Sequence, residues 1–279
     1  MGDTSGNLLG QLRAADRERY LSVLFAPEDK REALAALFLF NAEIARIRDI
    51  VSEPLPGEIR LQWWREVIDG DRAEEAGHHP VAAPLLKTIN RFDLPAATFD
   101  NMLEARIFDL YDDPMPARTD LEGYLGETGS ALIQMACQIL NGGAVPPTAD
   151  PAGHAGVAYG IANLIRQMPV HRARGQVYLP GDLLSAAGFD ASHWLAGDDD
   201  DAAATATSAF VALGRQHLRQ ARNALASVDR TLRPPFSVLG VADAVFDAAE
   251  RAGAGASTRP VTISPVRAQW RITRFALSR

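Results

Sequence analysis

Residues 158–184, which read AYGIANLIRQMPVHRARGQVYLPGDLL, decide how the rest of this chain is interpreted. The stretch begins with small and apolar residues, which are typical of a buried helix, and Asn163, Arg166 and Gln167 give that helix a polar face. A basic cluster and a short extended segment follow. Polar side chains that interrupt an apolar helix mark this stretch as the first place to look for a functional site.

Pro169 lies where the helical pattern would otherwise continue. Proline has no amide donor and its ring clashes with the carbonyl group four residues earlier. We therefore expect the helix to end or kink near Met168. In that case Gln167 and His171 would not share a helix face.

The composition indicates a globular protein whose main partner is not a nucleic acid. Of the 279 residues 47% are hydrophobic, which is enough for a sizeable core, and the formal net charge is −7. The single cysteine, Cys137, excludes a disulfide framework, and we expect it to be buried on a helix in a reducing compartment. No apolar run approaches the roughly 18 residues of a membrane-spanning helix. We expect a cytoplasmic protein that either is free or contacts the inner face of a membrane peripherally.

Helical patterns dominate the whole chain. Ala and Leu are abundant, and no period-two alternation persists anywhere, which favours helix over strand. With short loops and no internal repeat, the sequence predicts one all-α domain over residues 1–279. A long helix is predicted to open at Pro27, and Thr119 with Glu122 is the pattern of a helix-capping box. A last helix is predicted to start at Ser264.

Residues 57–69 form a further amphipathic pattern. We predict a helix here whose inward face carries Ile59, Trp63 and Val67. The pattern also allows Leu61 and Trp64 to face inward. Core packing is the ordinary role of these tryptophans, although they could also line a lipid pocket.

The stretch 158–184 resembles the second aspartate-rich region of the squalene/phytoene synthase family. The family pattern is N-x-x-R-D-x-x-x-D, then basic residues, G-x-x-Y-L-P and a further Asp. Where the family has its two catalytic aspartates, this chain has Gln167 and His171. The residues that fit the pattern are Asn163, Arg166, Arg172, Arg174, Gly175, Tyr178, Leu179, Pro180, Asp182 and Leu184.

The first aspartate region of the family, D-D-x-x-D, corresponds to the helix after Pro27. An ungapped match puts Ala45, Arg46 and Asp49 at the three aspartate places, and a gapped match puts Arg48, Asp49 and Ser52 there. Either way, Asp49 is the one metal ligand that the resemblance retains.

The resemblance covers about residues 17–275. It implies an isoprenoid-synthase-type helical bundle around a central apolar cavity. In the family, carboxylates on two facing helices bind Mg²⁺, which holds the diphosphate leaving group. Because most of those carboxylates are missing here, we expect that the protein binds no cofactor, and we assign no catalytic residue.

The departures resemble one branch of the family, that of the mitochondrial complex I (NADH dehydrogenase) assembly factor and its bacterial relatives. The similarity lies in the run from Asp49 to Glu53 and in the block from Arg60 to Arg65. It implies a pseudoenzyme that acts as an assembly factor, or as a lipid- or prenyl-diphosphate-binding factor, for a respiratory complex. A subunit or assembly protein of that complex is the partner that this resemblance implies.

Two alternatives remain open. The first is an active head-to-head prenyltransferase that condenses farnesyl or geranylgeranyl diphosphate with Mg²⁺, held by Asp49 and an acid such as Glu43, Glu53 or Asp182. The second is a metal-free binder of a prenyl diphosphate or a phospholipid head group, since arginine binds phosphate bidentately without metal. The residues expected to line such a site are Arg46, Arg48, Asn163, Arg166, Arg172 and Tyr178.

Overall fold

The computed structural model describes residues 4–197 and 199–278, so residues 1–3, 198 and 279 of the predicted domain lie outside the described residues. No strand occurs in the described ranges, and the predicted all-α single-domain fold is confirmed. The helices are α1 (Thr4–Ala15), α2 (Arg17–Val23), α3 (Glu28–Ala45), α4 (Ile47–Ile50), α5 (Pro54–Asp69), α6 (Ala73–His78), α7 (Ala82–Phe92), α8 (Ala96–Ile107), α9 (Arg118–Leu125), α10 (Ala131–Leu140), α11 (Ala149–Ala173), α12 (Gly181–Ala186), α13 (Ala191–Ala196), α14 (Asp200–Ala224), α15 (Leu239–Ala252) and α16 (Pro265–Leu277).

Helix α11 is the central element, because it packs against α10, α14 and α15. Eleven of its 25 residues are buried, most of them small or aliphatic. The hydrophobic core has two parts. One surrounds α11, α14 and α15, and the other lies among α3, α5, α7, α8 and α10. As far as the described residues go, no helix is both long and apolar enough to cross a bilayer.

Small residues let α11 approach the π-helical turn Gly126–Ser130 closely. A Cβ atom added to Gly156 would overlap the backbone nitrogen of Ser130, and one added to Gly129 would lie 3.1 Å from the carbonyl oxygen of Gly156. The Ser130 hydroxyl donates a hydrogen bond to the Gly153 carbonyl oxygen at 2.7 Å. Helix α11 and this turn can therefore pack this closely only because Gly129 and Gly156 have no side chains.

Helix α11 continues past Pro169 to Ala173, so the predicted end near Met168 is wrong, while the alternative of a kink there stays a prediction. An interior proline costs a helix about 3 kcal/mol, chiefly through the lost N–H donor. Packing offsets that cost, because the helix buries Met168 in the same turn. Gln167 and His171 consequently lie one helical turn apart on a continuous helix.

The helix predicted to open at Pro27 begins one residue later and is interrupted at Arg46. There the backbone has φ −90° and ψ −3°, and the short helix α4 follows. The capping box at Thr119 and Glu122 does not form, because α9 already begins at Arg118 and no side chain caps it. The last helix starts at Pro265, in agreement with the predicted start at Ser264, and the Ser264 side chain caps it by accepting a hydrogen bond from the backbone N–H of Arg267.

Helix α5 buries part of the predicted face. Val67 is buried as predicted, Leu61 and Trp64 are also buried, and Trp63 is partly buried, whereas Ile59 is 61% exposed, so its predicted inward position is wrong. The Trp64 ring packs edge-on against Phe40 with 5.1 Å between ring centroids. A tryptophan buries more apolar area than an isoleucine, which explains why the helix turns this face inward.

We predict that Gly156→Ala lowers the free energy of unfolding by about 1–3 kcal/mol, as overpacked positions do. The matched control is Gly153→Ala on the same helix, where an added Cβ meets no atom within 4 Å. Helix propensity should make that control neutral or stabilising by up to about 1 kcal/mol. Urea unfolding of the two variants measures the difference. Equal stabilities would contradict the close approach as a constraint on the fold.

Candidate functional site

A cavity of about 650 Å³ lies between α2, α3, α4, α11 and the segment 260–263. The two regions singled out in the sequence face each other across it. One region is the α3–α4 junction, and the other is the second half of α11 together with the segment that follows it. The predicted positions that line the cavity are Ala45, Arg46, Arg48, Asp49, Asn163, Arg166, Gln167, His171 and Tyr178.

Arg172 is the one predicted site residue that does not line this cavity. Its guanidinium donates hydrogen bonds to the carbonyl oxygen of Leu195 and lies 5.8 Å from the centroid of the Trp194 ring. Arg172 therefore connects the end of α11 to α13, so its role is structural.

The further acids considered as metal ligands also lie elsewhere. Glu43 lines a separate cavity, and Glu53 immediately precedes α5. Asp182 forms an ion pair of 2.8 Å with Arg118. None of the three lines the cavity that contains Asp49.

Asp49 is held by an arginine from the far side of the cavity. Its Oδ1 accepts a hydrogen bond from Arg174 Nη1 at 2.7 Å. The two residues are 125 positions apart in sequence, so no local pattern could reveal this pair. The pair links α4 to the end of α11.

A second carboxylate of the cavity wall, Glu18 on α2, is bound in a similar way. It accepts hydrogen bonds from Arg166 at 2.9 Å and from the Tyr159 hydroxyl at 2.7 Å. Burial raises the pKa of Tyr159 well above its usual value, so this hydroxyl remains a donor. Sequence analysis did not identify Glu18, because its partners lie more than 140 residues away.

Asp109 is the most buried carboxylate of the cavity and was also not identified from the sequence. It accepts hydrogen bonds from the Tyr178 hydroxyl at 2.6 Å, the Tyr124 hydroxyl at 2.7 Å and Arg106 at 2.9 Å. Burial raises the pKa of both tyrosines, so each keeps its proton for this network. A single aspartate in a turn after α8 gives no sequence signal.

His171 contributes no charge to the cavity at neutral pH. Burial lowers the pKa of its imidazole to about 4, and its ring lies against Tyr178 with centroids 4.6 Å apart. Gln167, one turn earlier, supplies only a neutral amide. Neither Gln167 nor His171 therefore brings negative charge to the cavity.

Positive charge prevails in the cavity wall although the whole chain carries a formal net charge of −7. Each of the four carboxylates that line the cavity forms an ion pair with an arginine that also lines it. No described residue forms a hydrogen bond or an ion pair with the Arg46 guanidinium. The arginines are Arg17, Arg19, Arg46, Arg48, Arg106, Arg166 and Arg174, and the carboxylates are Asp16, Glu18, Asp49 and Asp109.

Three buried polar atoms of this wall have no hydrogen-bond partner: Nε of Arg48, Nε of Arg106 and Oδ1 of Asn41. Buried polar atoms are normally paired, so these three are exceptions. Within residues 4–197 and 199–278 no group of three or more His, Cys, Asp or Glu side chains is arranged to hold a metal ion.

Comparison with known proteins gives a consistent family assignment. The family model described as squalene/phytoene synthase matches residues 12–269. The chain is 31% identical over 226 residues to "NADH dehydrogenase (ubiquinone) complex I, assembly factor 6" of Bos taurus, which covers 81% of this chain and 67% of that protein. It is 23% identical over 243 residues to the 15-cis-phytoene synthase of Synechocystis, covering 83% and 72% of the two chains.

The fold is shared with solved structures of the same kind. The squalene synthase HpnC from Alicyclobacillus acidocaldarius superimposes with a TM-score of 0.77 over 90% of this chain and 94% of that chain. The two sequences are 19% identical, so this likeness concerns the fold alone. It agrees with the predicted isoprenoid-synthase-type bundle.

Proposed function

The chain belongs to the squalene/phytoene synthase family, and on that basis we propose that it is a non-catalytic assembly factor for a membrane respiratory complex. We further propose that its cavity binds a phosphate-bearing amphiphile without Mg²⁺. The assembly role is supported by the Bos taurus relative, whose name is that of a complex I assembly factor. The phytoene synthase relative is less similar.

The proposal that the cavity binds its ligand without metal rests on one observation. Every carboxylate that lines the cavity forms an ion pair with an arginine. Magnesium takes hard oxygen ligands and is usually held by one or two carboxylates together with phosphate and water. All four carboxylates of the cavity wall already accept hydrogen bonds from arginines. A magnesium ion at Asp49 would lie beside the Arg174 guanidinium, which would repel it. The residues present do not fit a magnesium site.

The cavity wall carries both arginines and apolar side chains, and a phosphate-bearing amphiphile can contact both. The Arg46 guanidinium lines the cavity, forms no hydrogen bond or ion pair with any described residue, and can donate to phosphate oxygens. Apolar side chains that include Leu164 and Ile263 line the same cavity and can contact a hydrocarbon chain. A prenyl diphosphate and a phospholipid share this chemistry, and either would bring the protein to the inner face of a membrane from the cytoplasm.

Head-to-head prenyl transfer is the second candidate function. It is favoured by the retained motif residues Asn163 and Tyr178, which line the cavity. It would require Mg²⁺ and the release of Asp49 from Arg174. No other carboxylate of the wall is free to complete a ligand set, so this function ranks second.

We predict that inorganic diphosphate binds the purified protein in the presence of EDTA, and that Arg46→Ala weakens binding about 10–100-fold. This range corresponds to the loss of one charge-assisted hydrogen-bonded contact of about 1.5–3 kcal/mol. Arg60→Ala is the control, because Arg60 lines only the other cavity. Isothermal titration calorimetry measures all three proteins.

Two further titrations identify the source of the phosphate group. Farnesyl diphosphate should bind more tightly than inorganic diphosphate if the ligand is a prenyl diphosphate, whereas vesicles rich in anionic phospholipid should bind if it is a lipid. Binding that needs Mg²⁺, or that is unchanged in Arg46→Ala, would contradict the metal-free cavity.

The assembly role predicts a defect in cells that lack this chain. The amount of fully assembled complex I on native gels should fall severalfold, while complexes of the respiratory chain that assemble separately should be unchanged. Expression of the wild-type chain should restore complex I. A deletion strain with a normal amount of assembled complex I would rule out this role.

A further inference from the structure

An apolar surface lies uncovered on helices α4 and α5. Ile50 is 54% exposed, Leu55 65% and Ile59 61%. Leu55 and Ile59 are one turn apart, and Trp63 follows one turn later on the same face of α5. Isolated exposed apolar residues are ordinary on protein surfaces, but a continuous strip of this kind marks a site of interaction. We call Ile50, Leu55, Ile59 and Trp63 the α4–α5 strip.

A second cavity, of about 420 Å³, adjoins the α4–α5 strip, since Ile50 and Trp63 belong to both. Its interior is largely aromatic and aliphatic, and the Trp63 and His79 rings lie with centroids 5.1 Å apart. The strip is therefore not flat, because it borders a pocket large enough for a bulky side chain. The residues that line the pocket are Glu43, Arg46, Ile47, Ile50, Arg60, Trp63, Trp64 and His79.

The charged side chains that line this pocket carry a net positive charge. Within the described part of the chain, no residue forms a hydrogen bond or an ion pair with the guanidinium of Arg46 or of Arg60. By contrast, Arg65 on the same helix forms ion pairs with Asp100 and Glu104.

The two other titratable groups of the pocket do not cancel this charge at neutral pH. Burial raises the pKa of Glu43 to about 7, so its carboxyl group is only partly ionised. Burial lowers the pKa of His79, which keeps that ring neutral. The carboxyl of Glu43 and the imidazole of His79 lie 3.8 Å apart.

We propose that the α4–α5 strip and its pocket bind a short segment of a protein partner that presents one large apolar side chain next to Asp or Glu. The apolar side chain enters the pocket against Trp63, and the carboxylates pair with Arg46 and Arg60. Tryptophan and arginine residues that become buried when a partner binds are typical of the residues that dominate protein interfaces. Charge complementarity selects an acidic segment.

The shape of the surface favours a protein segment over a bilayer. A membrane surface is planar on this scale and would cover the strip without filling the pocket. This inference does not depend on a metal-free cavity or on the loss of catalysis. Arg60 lies outside the larger cavity, so changes at Arg60 test the docking surface without touching the diphosphate site.

Site-specific photo-crosslinking in the cells that produce this protein tests the proposal. Benzoylphenylalanine replaces Ile59 in one variant and Val145, an equally exposed apolar residue on a loop, in the control. We expect the Ile59 variant to crosslink to one protein segment that is apolar and acidic, identified by mass spectrometry, and Arg60→Glu to reduce this product at least tenfold. Arg219→Glu, an exposed arginine on α14, is the matched charge reversal and should have no effect.

A synthetic peptide with the sequence of the crosslinked segment provides the second measurement. It should shift the fluorescence of the wild-type protein, should give a smaller shift in Trp63→Phe because Trp64 also lines the pocket, and should bind Arg60→Glu at least tenfold more weakly. Circular dichroism melting of each variant checks that the fold is intact. Crosslinks to lipid alone, to a second copy of this chain, or at equal yield from position 145 would overturn the proposal, as would insensitivity to Arg60→Glu.

Discussion

Ion pairs between arginines and carboxylates determine what the central cavity can bind. Arg174 binds Asp49 from the opposite wall at 2.7 Å. The two side chains are 37% and 49% exposed, so solvent screens this pair, and its effect is to place a positive charge beside the carboxylate. A divalent cation would be repelled by the arginine beside each carboxylate of the wall, whereas an anion would be attracted by the excess of arginines.

The geometry of α11 makes these pairs possible. The helix runs on through Pro169, so that Arg166 and His171 both face the α3–α4 junction. Its close approach to the π-helical turn at Gly156 sets how far the helix lies from Tyr124 and Asp109. The fold agrees with that of the solved squalene synthase structure, and the side chains that line the cavity determine which charges it offers a ligand.

Much of the fold could be predicted from the sequence, because it depends on local patterns. Apolar periodicity and the Ser264 cap identify helices correctly, and the matched motifs identify both walls of the cavity. The errors occur where tertiary packing overrides a local rule. Burial keeps α11 helical at Pro169, and the contact between Trp64 and Phe40 turns Ile59 outward.

The charge arrangement of the site could not be predicted, because its partners are distant in sequence. Glu18 and Asp109 belong to no motif, and each becomes visible only when the chain is folded around its arginine and tyrosine donors. The structure also shows that Arg46 lines both cavities and forms no hydrogen bond or ion pair with any described residue, although its charge lowers the pKa of the Glu43 carboxyl. Arg46 lies at the interruption between α3 and α4, where the diphosphate site and the α4–α5 strip meet.

One measurement decides whether the cavity is catalytic. It is the release of diphosphate from farnesyl or geranylgeranyl diphosphate, measured with and without Mg²⁺. The account predicts that the purified protein releases no more diphosphate than a protein-free control under either condition. Magnesium-dependent release at ordinary enzyme rates, on the order of 1 s⁻¹ or faster, would contradict it. Asp49 would then have to leave Arg174 during turnover, and the chain would be a synthase with an unusual set of metal ligands.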